Sequence, residues 1–266
     1  MKKSLISTII ILLLIGIILV TFFVFKTPKS STNNPIQQQN RARISWEFDN
    51  KSKNWRAFGN HQDCLEPLIF PAPVDVKLAS GVLYPGQERG GDYKPHGGFR
   101  FDGLISNEVN IYAPMDGNLV EAARHTSGSE VQYALYFLDD CGIVYKLDHI
   151  RELTPKFAEI LSKIPMGGEN DTRTTKVGPS IFTKKGELIA TKVGLEATKN
   201  VFVDFGVYDL RKSNGVDYSG RNYYNVEQYG GHALCWLNNL EEPAKSIVKN
   251  LPGADGQNGK KSDYCH

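Results

Sequence analysis

"KPHGGFRFDG", residues Lys94–Gly103, is the stretch on which the reading of this chain turns. It sets His96 and Asp102 six positions apart in a glycine-rich, aromatic segment. An even separation puts both side chains on one side of an extended strand. Imidazole plus carboxylate is an ordinary zinc-ligand pair, and a third ligand would have to come from a later strand. The competing reading is a glycine-rich turn in which the two residues share no task.

The segments that follow are β-like. "EVNIYAPMDGNLVEAARH" alternates around Asp116–Gly117, a hairpin turn signal, and "EVQYALYFLDDCGIVYKLDHI" alternates around residues 139–142. "SIFTKKGELIATKVG" turns at Lys184–Gly186, and "NVFVDFGVYDL" reads as one period-2 strand. "TPKFAEILSKI" repeats Phe157, Ile160, Leu161 and Ile164 at helical spacing, and "NLEEPAKSIVKNL" allows a second short helix. Many short strands, turns and few helices predict an all-β fold, a sandwich or barrel-like hybrid.

In this order, five of these stretches resemble the M23 peptidases, lysostaphin-like zinc endopeptidases of bacterial cell wall. "PHGGFRFDG" stands where that family has a His-x-Gly-x-Asp type motif, with a spacing two residues longer. "VNIYAPMDGNLVEA" is similar to its "A-P-x-D-G-x-V" hairpin, "YKLDHI" to its "Y-x-H-L" strand end, and "FTKKGELIATKVG" to its "K-K-G-Q-x-I-G" hairpin. "FVDFGVYDL" falls where the family has "H-L-H-F-E-V". The likeness covers about Gly81 to Leu210 and implies a duplicated-hybrid-motif β domain.

Carried over residue by residue, the resemblance implies a metal held by His96, Asp102 and Asp204, with His149 as the assisting catalytic histidine. It also puts Phe202 where the family has a second assisting histidine, so both histidines of the last motif are replaced. The implied cofactor is a divalent metal, zinc or a harder cation, because two carboxylates shift preference away from zinc. Two functions follow. One is a degenerate M23-like domain that binds cell-wall glycan-peptide or an extracytoplasmic protein through the old groove. The other is an active metal-dependent endopeptidase acting on peptidoglycan cross-links or another extracytoplasmic peptide. The motif losses at Phe202 and Asp204 favour weak or no activity.

The rest of the chain supplies a setting. Leu5 to Phe25 runs uncharged for 21 residues, enough to span a bilayer as a helix, with no small-x-small cleavage site. The expectation is a single-pass anchor (1–25), a polar stalk (26–43), an N-terminal extension (44–80), the M23-like domain (81–210) and a C-terminal extension (211–266). Lysine and arginine around the span lean towards a cytoplasmic C-terminal part. Four cysteines without CxxC spacing point instead to an exported one, as two disulfides of open pairing or as buried thiols. The expected site of action is therefore extracytoplasmic, at the membrane. A formal charge of +2 over 266 residues gives no reason to expect nucleic acid as a partner. His125 and His232 have no motif around them, and His232, in "YGGHALCWLNNL", reads as a packing residue. No lysine stands at the Asp116–Gly117 turn, which argues against a biotinyl or lipoyl carrier.

Overall fold

The computed structural model describes residues 45–218, 220–221 and 228–266; the expected anchor and stalk lie outside the described residues. Among the described residues no helix is long and apolar enough to cross a membrane. The described residues are mostly β, with two short α-helices.

A hairpin of β1 (Ser45–Asp49) and β2 (Asn54–Phe58) comes first. Next come β3 (Gly81–Leu83), a small ribbon of β4 (Gln87–Arg89) and β5 (Asp92–Lys94), and then β6 (Gly97–Arg100). The main strands are β7 (Ile111–Tyr112), β8 (Gly117–Ser127), β9 (Glu130–Leu138) and β10 (Ile143–Leu153). Helix α1 (Pro155–Leu161) leads to β11 (Met166–Glu169), β12 (Thr175–Thr183), β13 (Leu188–Val193) and β14 (Phe202–Asp209). Helix α2 (Ala244–Asn250) closes the series.

Ten strands join in one hydrogen-bonded sheet whose main path runs β11-β8-β9-β10-β14-β6-β3. Strands β12, β13 and β7 branch from it: β12 pairs with β8, while β13 pairs with β10 and β7. Two long strands thus change partners along their length. Residues Ile143–Asp148 of β10 lie against β14, and Ile150–Leu153 lie against β13. A register shift between Leu147 and Ile150 marks the transfer. There one residue of β9 faces two of β10, which is the arrangement of a β-bulge.

The turn at residues 139–142 forms a β9–β10 hairpin as the alternation predicts. Asp116–Gly117 does not form a hairpin. β7 pairs with β13 and β8 with β9, β11 and β12, so that turn carries the chain between strands that never meet. The local turn signal did not reveal which strand each arm joins.

Period-2 alternation sorts the side chains of the central strands. Val203, Phe205 and Val207 of β14 join Tyr145 and Leu147 of β10, Leu135 and Phe137 of β9, Phe99 and Trp236 in the main core. All are essentially inaccessible to water. The other phase carries Asp204, Gly206 and Tyr208 of β14 beside Asp148, Lys146 and Val144 of β10. The aromatic part of that second face is covered by Tyr229, which stacks on Tyr136 and Trp55. Both β10 and β14 are therefore buried on both faces, and their polar residues stand in the second layer.

The cysteines form two disulfides, Cys64–Cys141 and Cys235–Cys265. His232 is buried and its Nδ1 donates to Lys212 O, a packing role.

Candidate functional site

The polar cluster lies where β6, β14 and β10 run side by side. The register sets Asp204 opposite Gly98 on β6 and opposite Asp148 on β10. Directly paired residues share a face. His96 enters this face just before β6 and lies over Gly206, where an added Cβ would come within 2.9 Å of His96 Cβ. Glycine at 206 therefore gives the imidazole room to lie against the strand.

His96 Nε2 stands 3.0 Å from Asp204 Oδ2, and His149 Nε2 stands 3.8 Å from the same oxygen. Ligand atoms of Asp148, His149 and Asp204 all lie within 4.8 Å of one another. Lys146 Nζ is 2.9 Å from Asp148 Oδ2, with both side chains almost wholly buried. Arg89 donates through Nη2 to His96 O and through Nη1 to Tyr84 O. Phe202 packs its ring on His149, centroids 4.2 Å apart.

Burial pushes the His96 imidazole down to about 4, and the positive charge of Lys146 adds to the effect. The ring is therefore neutral at neutral pH and donates Nε2–H to Asp204. Burial would raise both carboxyls, yet each sits low. The paired Lys146 charge holds Asp148 at about 2. The His96 hydrogen bond and the Arg89 charge keep Asp204 well below the ordinary carboxylate range.

His149 has φ +62°, left-handed backbone inside a strand. For a non-glycine residue that conformation costs of order 1–3 kcal/mol and persists only where its surroundings enforce it. Here Asp148 Oδ1 accepts from His149 N at 2.7 Å, and His149 O accepts from Gly194 N at 2.8 Å. The residue is the bulge at which β10 leaves β14. The strained backbone aims its ring across the face towards Asp204.

Of the four residues singled out in the sequence, the structure brings His96, His149 and Asp204 together. Asp102 does not join them. Strand β6 ends at Arg100, and the chain turns immediately after it. The equal-parity argument needed unbroken extension to residue 102 and so fails. Asp102 is exposed, receives a hydrogen bond from Arg100 Nη2 at 3.0 Å and bonds Ser80 Oγ. The residue that shares the face is Arg100, directly opposite Phe202. Sequence reasoning passed over Lys146, Asp148 and Arg89. Lys146 and Asp148 did carry a signal: charged residues in an apolar strand are almost never buried unless paired, and these two share a phase. Arg89 carried none.

The ligand atoms of Asp148, His149 and Asp204 lie within 4.8 Å of one another, near the spacing of a little over 3 Å that bonds of about 2.0–2.2 Å to one cation require, and His96 reaches this set through Asp204. The charge does not fit. Asp148 is paired with Lys146, the nearby Arg89 guanidinium adds a second positive charge, and both imidazoles would enter neutral. A dication would leave the buried cluster strongly positive, which burial makes costly.

No family model matches the chain, and no curated protein matches it. Among solved structures the chain is similar to Helicobacter pylori Csd3, with 14% sequence identity and a TM-score of 0.36. The match covers 71% of this chain, which spans 39% of the length of the Csd3 chain.

Proposed function

We propose that this chain is an M23-like β domain, tethered to a membrane by its N-terminal segment and working outside the cytoplasm. Its groove binds cell-wall glycan-peptide or an extracytoplasmic peptide rather than cleaving it. The observation that carries this reading is the closed charge of the central cluster. Lys146 pairs with Asp148, Arg89 adds a second positive charge nearby, His96 donates to Asp204, and Phe202 fills the position of an assisting histidine. A hydrolytic centre needs a vacant, electron-accepting position next to a general base. Here the electrostatic demand of the carboxylates is met from within the chain. The two disulfides support the compartment, since such bonds persist in oxidising surroundings. The proximity of Asp148, His149 and Asp204 favours the second reading, an active metallopeptidase.

The test is sedimentation of the full-length protein with purified sacculi, alongside its metal content and the release of soluble muropeptides. Co-sedimentation, with no stoichiometric zinc and no released peptide, is the expected result. Stoichiometric zinc together with cross-link cleavage would establish the enzyme instead. Failure to sediment would remove the cell-wall partner.

A further inference from the structure

We infer that Gln132 is a positioning residue that holds His149 as its Nδ1–H tautomer, so that Nε2 keeps a lone pair turned into the cluster. Gln132 sits on β9 and is completely buried. Its amide has two partners on opposite sides. Nε2 donates to Gly194 O at 3.0 Å, and Oε1 lies 2.7 Å from His149 Nδ1. The first contact decides the second. A carbonyl oxygen can only accept, so the amide must turn its NH₂ to Gly194 and its oxygen to the imidazole. An amide oxygen can only accept in turn, so His149 must carry hydrogen on Nδ1. A flipped amide would set oxygen against oxygen at Gly194 and leave both buried polar groups unsatisfied, at a cost of about 1–3 kcal/mol each.

Three residues close a ring. Gly194 N donates to His149 O, Gly194 O receives Gln132, and Gln132 receives His149. Gly194 has φ +75°, and a side chain there would run into Asn200 O and the backbone of Val201 and Phe202. The loop that closes the ring is thus as constrained as the left-handed backbone of His149. Across the sheet Gln132 pairs with His125, also buried, so the amide is shielded from bulk solvent.

The consequence is chemical. The bare Nε2 of His149 and the carboxylate oxygen of Asp204 are both acceptors, 3.8 Å apart. Whatever docks between them must bring a hydrogen-bond donor or a cation. A histidine left free to choose could offer Nε2–H there and would repel such a ligand.

The inference rests on reading this cluster as the functional site, but its test does not depend on sacculus binding. Long-range ¹H–¹⁵N spectra of histidine-labelled full-length protein at mildly alkaline pH report each ring's tautomer, and His149→Gln identifies the signal. The expected result is Nδ1–H for His149 in the unmodified chain. It should be kept in Gln132→Glu, which retains the acceptor, and lost to Nε2–H or mixed forms in Gln132→Met. An Nε2–H signal in the unmodified chain overturns the inference even if neither variant folds. So does an unchanged Nδ1–H signal in a folded Gln132→Met. If the tautomer is as stated and sacculi are not bound, the functional reading fails while the positioning role stands.

Discussion

His96 shows how one buried group reports on the whole cluster. Its imidazole titrates at about 4 in the folded chain against 6.5 as the ordinary value, with burial as the main cause. Between those values the unfolded chain binds the extra proton and the folded chain does not, so stability rises with pH across that window. The contribution is complete above about 6.5 and is lost as pH falls towards 4. In size it is roughly 3 kcal/mol. Urea unfolding at pH 7 and pH 5, with chelator present, should show the native protein losing much of this, while His96→Gln changes far less. Equal losses in both would place the ring in a different environment. Asp148, held at about 2, adds a second acid loss below its ordinary 3.8. Lys146 tests the charge argument directly. Lys146→Met leaves two carboxylates against Arg89 alone and should raise affinity for Zn²⁺ or Mn²⁺ about tenfold or more, equivalent to at least 1.4 kcal/mol. Calorimetric titration measures it. Unchanged affinity would mean that the fixed cations do not decide what the site accepts.

At the scale of strands, the site exists because β14 and β10 are polar in one phase and apolar in the other. That much was legible in "NVFVDFGVYDL" and "IVYKLDHI", where alternation alone assigns Asp204 and Lys146 to one side and Phe205 and Leu147 to the other. What was not legible is long-range. The partner change of β10, the bulge at His149 and the role of Gln132 depend on pairings with β9, β13 and β14 that no local pattern encodes. Asp102 was misplaced for a related reason: parity counts residues but does not reveal where a strand stops. Gly206 makes the strand argument testable. A methyl at this position would lie 2.9 Å from His96 Cβ and 2.7 Å from Tyr208 Oη, both fully packed. Gly206→Ala should cost about 1–3 kcal/mol, typical of overpacking. Because the imidazole is displaced from Asp204, it should also weaken the pH dependence between 5 and 7 described for His96. A loss of stability with that pH dependence intact would show that the strand yields and the histidine does not.

At the scale of the whole described domain, the C-terminal segment behaves as a brace rather than a tail. Ala254 N donates to Val82 O and Val82 N to Pro252 O, so the segment runs along the edge strand β3. Further on, Tyr264 Oη donates to Pro95 O at 2.6 Å, one residue before His96, and Gln87 Nε2 reaches Gly259 O at 3.0 Å and also Lys261 O. Cys235–Cys265 locks this strap across a separation of 30 residues, and Cys64–Cys141 ties the N-terminal segment to the β9–β10 turn across 77. In the chain-entropy picture loops of these lengths are worth roughly 4 kcal/mol each, with 2–5 usual on removal. The strap's position implies that the two bridges differ in consequence although they are similar in energy. Replacing Cys235 and Cys265 by serine should lower the urea midpoint and also increase amide exchange at residues 94–98, because Tyr264 no longer holds Pro95. Replacing Cys64 and Cys141 should lower the midpoint by a similar amount with exchange at 94–98 unchanged. Hydrogen exchange of the two double variants separates these outcomes, and equal exchange at 94–98 in both would remove the strap from any account of how His96 is held.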